Sequence, residues 1–490
     1  MKIELQIPVN RVEGDLDIKV SIQNGKITDA KSIGTLYRGF ENILKNRDPL
    51  DALVITPRVC GICSVSHLLA SVKALENAYK ISPPEQAVRF RNISNISENL
   101  QSDLRQVFLM FLPDFANEFY KNKKFYNTAY EFYRPFKGKI SKEILNITKE
   151  ILKIIALIGG QWPHTSYMVP GGLSVVSDDL EILTIKYLIE KIKSFLETLY
   201  GSSLEELISL SSEEELIKFF NTHPDSQLTI FYEILKESEL LFEGISGYPF
   251  INYGAIEQSD YEIPKGIYKN KNIFDLDINK ITEDVTYSWY EGETEYPINE
   301  TTVPDINKKN AYSFAKAPRY ENEVYQTGPL GEFLILRHPL FTDLYEKYSD
   351  SLFLREFARI YRPIRYILAM RSEIEKILKN IKAPLYKKPK TFPNATGVGL
   401  THAARGALGH WIKIKNGKIA NYQIISPTTW NGSPKDKNEN PGPWEKALIG
   451  VKIEDIENPV RMGHVIRSFD PCLVCTVHFI GENSSLRLTV

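Results

Sequence analysis

The residues most able to do chemistry are four cysteines, which form two C-x-x-C pairs at opposite ends of the 490-residue chain. Cys60 and Cys63 stand near the start, and Cys472 and Cys475 stand near the end. The spacing lets both sulfurs of a pair face one point, which suits a metal or a redox disulfide. Because the pairs use every cysteine, one four-thiolate site is favoured over two independent sites. Soft thiolates select zinc, copper(I), nickel or iron.

Three interpretations of the cysteines remain open on spacing alone. A structural zinc site usually has its pairs about 15–20 residues apart, whereas these pairs are separated by almost the whole chain. A thioredoxin-like redox pair would use one C-x-x-C and leave the other unexplained. A catalytic metal centre closed by both ends of the chain is the third possibility.

Five ordered stretches together resemble the large, catalytic subunit of nickel–iron hydrogenases, over residues from about 8 to 478. They are R-V-E-G at 11–14, R-G-F-E at 38–41, R-V-C-G-I-C-S-V-S-H at 58–67, A-R-G-A-L-G-H-W at 404–411 and D-P-C-L-V-C-T-V-H at 470–478. The resemblance implies reversible heterolytic cleavage of H2 into protons and electrons, with H2 oxidation favoured. A regulatory H2 sensor of low turnover has the same motifs. A relative that has lost its nickel, as in respiratory complex I, would not keep all four cysteines.

The resemblance also implies the ligands of the metal centre. Cys60 and Cys472 would bind nickel as terminal thiolates, and Cys63 and Cys475 would bridge nickel to an iron that carries carbon monoxide and cyanide. His67 would hydrogen-bond a bridging sulfur. Thiolates supply electron-rich ligands and a base for the proton, whereas a closed tetrahedral zinc site offers no redox chemistry.

Arg405 and Asp470 would form a pair beside these metals. Four thiolates and two cyanides around two divalent metals leave a buried charge of about −2, which a guanidinium would offset. By resemblance, Asp470 would hold Arg405 in place. The family usually has proline before this arginine, where this chain has Ala404. From composition alone, Arg405 could instead be a surface residue before a helix.

Glu13 is the predicted proton relay, because a carboxylate near a terminal thiolate can accept its proton. Without its motif, Glu13 would be interpreted as a surface residue at a strand start. Much of the family has histidine where this chain has Asp15. The R-V-E-G-D form resembles the uptake and hydrogen-sensing branch. This favours a cytoplasmic location, dissolved or peripheral to the membrane, with periplasmic export beside a signal-bearing partner as the alternative.

A second metal site follows from the resemblance. Glu41, the backbone carbonyl of Ile424 and His478 would hold Mg²⁺ or Fe²⁺ with waters, and oxygen ligands with retained waters suit magnesium. Glu41 alone could be an ordinary helix-start carboxylate. The stretch Trp162-Pro163-His164 also resembles a family segment and is assigned to packing.

The elements that must position these residues are mostly helical, with small β regions near both ends. Asn24-Gly25 and Asn416-Gly417 each lie between alternating apolar residues, which predicts two hairpins. Segment 255–325 is polar, with few apolar runs, and is predicted to be irregular or to form small strands over the surface. Helices are predicted at 86–112, 140–158, 178–201, 204–220 and 350–380. The fold class is therefore α+β, with a single large domain around a buried dinuclear site.

Composition excludes several classes of protein. The formal net charge is −1, without the basic excess of a nucleic-acid binder. No apolar run is long enough for a transmembrane helix, and the N-terminal residues lack the pattern of a secretory signal. No internal repeat or linker is visible, so residues 1–478 are predicted to form one domain. The resemblance implies that residues 479–490 are an extension that a maturation endopeptidase removes, whereas the alternating Leu486, Leu488 and Val490 would alternatively suggest a short terminal strand.

Electrons must leave through a partner. Iron–sulfur clusters need cysteine ligands, and all four cysteines are already assigned. No G-x-G-x-x-G motif is present to bind a dinucleotide. A small subunit carrying iron–sulfur clusters is therefore expected. The resemblance adds nickel-insertion factors and a possible higher oligomer of the heterodimer.

Overall fold

A computed structural model describes residues 2–175, 177–299 and 301–473. Cys475 and His478, together with the predicted extension, lie outside these ranges. In the described part, no helix combines the length and the apolar character needed to cross a membrane. Among the described residues helices dominate, and five small antiparallel sheets lie among them.

The strands belong to short sheets of two or three members. In chain order they are β1 (Lys2–Pro8), β2 (Leu16–Gln23), β3 (Lys26–Gly34), β4 (Met168–Val169), β5 (Gly172–Leu173), β6 (Phe250–Ala255), β7 (Ile263–Lys269), β8 (Asn272–Phe274), β9 (Ile281–Asp284), β10 (Ala317–Tyr320), β11 (Ala395–Ala403), β12 (Gly406–Lys415) and β13 (Lys418–Ile425). The sheet orders are β1-β2-β3, β4-β5, β6-β7-β8, β10-β9 and β11-β12-β13. Both predicted Asn-Gly hairpins are confirmed, as β2-β3 and β12-β13.

The helices range from a single turn to 28 residues. They are α1 (Phe40–Leu44), α2 (Ala52–Ile55), α3 (Ser64–Tyr79), α4 (Glu85–Arg105), α5 (Tyr126–Tyr133), α6 (Lys139–Gly159), α7 (Asp179–Tyr200), α8 (Leu204–Ser209), α9 (Glu213–Thr222), α10 (Gln227–Glu237), α11 (Pro329–Ile335), α12 (Pro339–Tyr348), α13 (Leu352–Lys379), α14 (Pro427–Asn431), α15 (Pro443–Leu448) and α16 (Val460–Arg467).

The core is a helical body in which α13 packs on α4 and α7, and α4 packs on α6. These are the long helices predicted from apolar periodicity. Helix α4 continues as one turn of π-helix at Gln106–Phe111, so the predicted helix at 86–112 is confirmed in extent. The α+β class with a mostly helical core is confirmed.

Helix α3 begins directly after the Cys60–Cys63 pair and packs on the β11-β12-β13 sheet. It packs closely on β11, and Gly399 makes this approach possible. A Cβ at Gly399 would lie 1.9 Å from the carbonyl oxygen of Ala70, a distance that no side chain can accept. The missing side chain therefore sets how closely the helix lies on the sheet that carries Arg405.

Two predictions of local structure are corrected. The expected helix at 204–220 is two helices, because Ser212 caps a new one by accepting a hydrogen bond from the backbone N–H of Glu215. The 255–325 segment does form small strands, but β10 is buried throughout. Its Tyr320 belongs to an apolar cluster that includes Trp411 and Trp430, so this part of the segment belongs to the core.

Candidate metal centre

Three cysteine sulfurs from opposite ends of the chain meet at one buried point. The sulfurs of Cys60, Cys63 and Cys472 all lie within 4.8 Å of one another. The Cys60 and Cys472 sulfurs are 3.6 Å apart. All three residues are buried. The structure therefore brings together the predicted ligands that it describes, while Cys475 lies outside the described residues.

Local turns hold the first pair. A 3-10 turn at Thr56–Arg58 precedes Cys60, and α3 begins directly after Cys63. The guanidinium of Arg38 donates a hydrogen bond to the carbonyl of Val59, next to Cys60. The motif that contains Arg38 thus supports the cysteine loop, a role that sequence reasoning left unassigned.

Cys472 is held by the N-terminal segment. Glu13 and Cys472 form a parallel β-bridge, in which the Leu473 N–H donates to the Glu13 carbonyl at 2.6 Å and the Glu13 N–H donates to the Pro471 carbonyl at 3.2 Å. The N–H of Cys472 donates to Thr428 Oγ1 at 3.1 Å. Sequence reasoning missed Thr428, whose side chain fixes the backbone of a predicted ligand.

Glu13 lies within electrostatic reach of both the cysteines and Arg405. Burial raises the pKa of the Glu13 carboxyl, the charge of Arg405 opposes this rise, and charges on Cys60 and Asp470 add to it. The residue is half-buried, which differs from the alternative of an ordinary surface glutamate. A carboxyl with a raised pKa beside a thiolate suits proton exchange.

Arg405 is buried in the two-residue turn between β11 and β12, not on the surface before a helix. Its Nε donates to the Asp470 carbonyl at 2.9 Å, and its Nη2 lies 3.0 Å from Asp470 Oδ1. This places Arg405 beside Asp470, as predicted. The turn requires glycine at 406, where φ is +126° and a Cβ would lie 2.4 Å from Thr327 Oγ1.

The charges of the neighbouring cysteines affect the pKa of Arg405. Burial alone would lower the pKa of Arg405, but the charges of Asp470 and of the three described cysteines raise it well above its usual range. Its Nη1 has no hydrogen-bond partner among the described residues. A buried guanidinium with an unused donor suits an anionic group at the cysteine cluster.

Helix α13 adds charges that sequence reasoning missed. Arg359 Nε lies 4.0 Å from Asp470 Oδ2, and Arg359 Nη1 donates to the Ser468 carbonyl at 3.1 Å. Arg362 forms an ion pair with Asp103 at 2.6 Å and donates to the carbonyl of Ala404. The sequence did offer a signal for these buried charges. Arg359 and Arg362 stand among apolar residues of a helix, where a buried cation needs a partner.

His67 lies one turn after Cys63 and is fully buried. Its Nδ1 is 3.0 Å from His410 Nε2, and His410 Nδ1 is 2.8 Å from the Tyr422 hydroxyl. Burial lowers the pKa of His67 to about 4, so the ring is neutral near pH 7. Its Nε2 has no partner among the described residues. The predicted hydrogen bond to a bridging sulfur stays a prediction.

Glu41 and Ile424 lie together at a second buried polar site. Glu41 Oε1 accepts a hydrogen bond from the Ile424 N–H at 3.0 Å, and Oε2 accepts one from the Thr302 hydroxyl. Lys316 Nζ lies 3.5 Å from Oε2. Glu41 does lie in the first turn of α1, yet it is buried. His478, the third predicted ligand, lies outside the described residues, and sequence reasoning gave no signal for Thr302 or Lys316.

The Trp162-Pro163-His164 stretch packs against the first cysteine loop. The His164 N–H donates to Ser64 Oγ at 3.4 Å, and His164 Nδ1 lies 3.0 Å from the Pro57 carbonyl oxygen. The packing role assigned from sequence therefore has a specific target, the residues on either side of the Cys60–Cys63 pair.

Comparison with known proteins identifies the family. The model of the nickel-dependent hydrogenase family matches residues 38–118 and 111–478. The periplasmic [NiFeSe] hydrogenase large subunit of Desulfomicrobium baculatum is 32% identical, over 98% of this chain and 95% of that protein. The uptake hydrogenase large subunit of Bradyrhizobium diazoefficiens is 30% identical, over 97% and 95% of the two chains. The chain belongs to the nickel-dependent hydrogenase family.

Solved structures agree with this assignment. The D. baculatum [NiFeSe] hydrogenase in its H2-activated form gives a TM-score of 0.84 at 28% identity, covering 98% of this chain and 100% of that chain. The Ni-Fe-Se hydrogenase of D. vulgaris Hildenborough in the reduced state gives 0.84 at 29%, with the same coverage. The predicted family, fold and enzyme class are confirmed, and this chain is a hydrogenase large subunit.

The described residues fit the nickel–iron centre that this family implies. Three sulfurs converge in a buried site beside a guanidinium with an unused donor. Soft thiolate donors are those that nickel and iron accept, and the buried cation offsets the negative charge of such a cluster.

Proposed function

We propose that this chain splits H2 heterolytically at a nickel–iron centre bound by Cys60, Cys63, Cys472 and Cys475, and works mainly in the direction of H2 oxidation. The observation that carries the proposal is the convergence of cysteine sulfurs from both ends of the chain within 4.8 Å. Membership of the nickel-dependent family favours nickel over the structural zinc alternative. The comparisons give no support to the regulatory sensor.

The ligand roles follow the family resemblance. Cys60 and Cys472 would be terminal on nickel, and Cys63 and Cys475 would bridge to an iron with carbon monoxide and cyanide ligands. When bound, this centre supplies the electrophilic, redox-active metals that H2 cleavage needs. His67, with its Nε2 facing no partner among the described residues, would meet a bridging sulfur.

The protein side chains would manage charge and protons. Arg405, held by Asp470 at 3.0 Å, would direct its remaining donor towards the iron ligands and offset the negative charge. Glu13, whose backbone is bonded to residues 471 and 473, would take up the proton released at the Cys472 sulfur. Burial raises the pKa of the Glu13 carboxyl, which favours uptake of that proton.

The second site would hold Mg²⁺ or Fe²⁺ through Glu41, the Ile424 carbonyl and His478. Contact between Glu41 and the Ile424 backbone at 3.0 Å supports this grouping. Lys316 at 3.5 Å would bind Glu41 in the absence of the ion and compete with it.

Electrons would pass to a small subunit that carries iron–sulfur clusters. The relatives are named as large subunits or large chains of hydrogenases, which supports a partner of this kind. Nickel-insertion factors and a processing endopeptidase would act before the two subunits function, and the heterodimer could assemble further. We expect a cytoplasmic enzyme, dissolved or peripheral to the membrane. Export with a signal-bearing partner is the alternative, and cell fractionation decides between them.

The experiment that tests this function combines metal analysis, infrared spectroscopy and turnover. The purified complex should contain nickel and iron, show infrared bands of carbon monoxide and cyanide, and reduce a dye with H2. Cys472→Ser should abolish H2 oxidation and lower the nickel content, because a hydroxyl is a hard, poor replacement for a thiolate.

A matched control is Ser433→Ala, which alters a buried polar residue that bonds Arg319 away from the cysteines. This variant should keep its nickel. Full nickel occupancy with normal turnover in Cys472→Ser would exclude the four-thiolate site, and zinc alone in the wild-type protein would restore the structural alternative.

A further inference from the structure

The residue at the N-cap position of helix α3 does not cap the helix with its side chain. Cys63 occupies the N-cap position and makes no capping hydrogen bond through its side chain. Helices usually place Ser, Thr, Asp or Asn here, because a side-chain oxygen can accept the N–H groups of the second or third helical residue. At this position the chain has a sulfur that is proposed to bridge the metals.

Glu98, on the neighbouring helix α4, accepts those N–H groups instead. Its Oε1 accepts from the Val65 N–H at 2.8 Å, and its Oε2 accepts from the Ser66 N–H at 2.8 Å. Val65 and Ser66 are the second and third residues of α3. Glu98 therefore performs from outside the helix what a capping residue performs from within it.

Three further donors surround the same carboxyl group. They are Ser66 Oγ at 2.9 Å, Ser64 Oγ at 3.3 Å and Trp162 Nε1 at 3.4 Å. Every hydrogen bond that the structure gives this carboxyl is donated to it, an arrangement that an ionised carboxylate satisfies best. A negative charge at a helix N-terminus is also favourable.

Glu98 is fully buried, and its charge is coupled to the cysteine cluster. Burial raises the pKa of Glu98 to about 7, the hydrogen bonds from Val65 and Ser66 oppose this rise, and the charge of Cys60 adds to it. Such coupling is reciprocal, so a charge on Glu98 also acts on the cluster. The residue lies outside all five motifs that identify the family.

We propose that Glu98 is a positioning residue of the metal centre, which caps α3 in place of Cys63 and, when ionised, places a negative charge near the thiolates. The cap fixes the turn that carries the Cys63 sulfur. The charge makes the metals more electron-rich. This inference rests on the proposed function of the site.

The test compares Glu98→Gln with a matched control in the purified two-subunit enzyme. The amide keeps the size of the side chain but loses the charge and one of the two accepting oxygens. The control is Glu76→Gln at the other end of α3, which removes a buried carboxylate paired with Arg91 at 2.9 Å. Both variants lose a buried ion, but only the first alters the cap.

Two readouts other than turnover are expected to move in Glu98→Gln alone. Hydrogen exchange at the Val65 and Ser66 amides, measured on metal-free protein, should accelerate about tenfold or more, because a charged hydrogen bond is lost. In the loaded enzyme, the infrared bands of carbon monoxide and cyanide should shift to higher frequency, because the iron loses electron density. Glu98→Asp, which keeps the charge but shortens the reach, should accelerate exchange with a smaller infrared shift.

The outcomes separate this inference from the function on which it rests. A wild-type enzyme without nickel or diatomic bands would refute the function, while exchange in metal-free protein would still judge the cap. Unchanged exchange and unchanged bands in Glu98→Gln would overturn the inference. Loss of nickel in Glu98→Gln with full loading of Glu76→Gln would support it, and equal loss of nickel in both variants would count against it.

Discussion

Glu13 and Arg405 both interact electrostatically with Cys60, but their side chains have opposite charge. Glu13 can exchange a proton, whereas a guanidinium stays charged and cannot. Both owe their positions to Cys472 and its neighbours, since Glu13 bonds the backbone at residues 471 and 473 and Arg405 bonds Asp470. Substitutions at the two positions should therefore have distinguishable effects.

Glu13→Gln should load its metals normally and lose proton exchange. The amide preserves size and polarity but cannot carry a proton between the sulfur and solvent. Hydrogen–deuterium exchange catalysed by the enzyme measures this step. Asp15→Asn, which removes an exposed acid two residues away, is the control and should leave exchange intact. An exchange rate in Glu13→Gln equal to the wild-type rate would mean that another group relays the proton.

Arg405→Lys should keep the metal centre and lose activity by a factor of about 100 or more, the usual loss when one preorganised donor is removed. Lysine retains the charge, but it lacks the planar fork that bonds Asp470 while it directs a further donor elsewhere. H2-dependent dye reduction and nickel content are the measurements. Arg47→Lys, an exposed position, should behave as wild type. Near-normal turnover in Arg405→Lys would show that charge alone suffices.

Sequence reasoning identified the residues that lie inside motifs and missed those that support them. The three described cysteines meet, and Arg405 pairs with Asp470, as expected. Thr428 and Glu98 gave no comparable signal, because each acts through a backbone N–H whose location depends on the fold. A serine-rich helix start or a lone buried glutamate occurs in many proteins without such a role.

At the scale of elements, α13 is the main source of buried charge. Its side chains at 355, 359 and 362 form ion pairs with Asp350, Asp103 and Glu332. One of its carboxyl groups, that of Glu356, accepts from Gln106 Nε2 at 2.8 Å, and its Oε2 has no partner among the described residues. Burial raises the pKa of Glu356 to about 8, against the opposing charge of Arg359.

Glu356 should therefore make stability depend on pH. The pKa of Glu356 is about 8 in the folded protein and 4.5 when unperturbed. Between these two pH values the folded protein therefore keeps a proton that the unfolded chain has lost. The stabilisation that this group contributes is complete below about pH 4.5. It falls by at most about 1.4 kcal/mol per pH unit between about pH 4.5 and pH 8, and it is lost above about pH 8. Glu356→Gln should show a flatter curve of melting temperature against pH.

The control for this prediction lies on the same helix. Glu373→Gln removes a buried carboxylate that pairs with Arg89 at 3.3 Å and accepts from Ser259 Oγ at 2.6 Å. It should lower the melting temperature, because the contacts with Arg89 and Ser259 are lost. Parallel curves for wild type and Glu356→Gln would show that Glu356 is ionised between about pH 4.5 and pH 8.

Element boundaries followed from sequence where periodicity and caps agreed. The long helices and both Asn-Gly hairpins were predicted because local signals alone determine them. The division at 210–212 was missed because the glutamate-rich residues on both sides of it favour a continuous helix with a solvated face. The Ser212 cap, with Glu215 three residues later, was the overlooked signal. Burial of β10 depends on a cluster with Trp411 and Trp430, residues distant in sequence.

At the scale of the whole molecule, the proposed removal of residues 479–490 concerns how the site is closed. Cys472 is fully buried and bonded on both sides, so metals must arrive before its segment takes this position. Removal of the extension would let His478 join Glu41. Intact-mass measurement of active enzyme should give a chain that ends at His478. Full activity in a chain that ends at Val490 would contradict the proposal.

The bridge between Glu13 and Cys472 has a consequence for synthesis on the ribosome. Glu13 and the first cysteine pair are translated long before Cys472, with which Glu13 forms its bridge. A nascent or prematurely terminated chain would offer only one thiolate pair, which could bind stray zinc or copper in place of nickel. The proposed four-thiolate site can therefore form only after Cys472 and Cys475 have been translated.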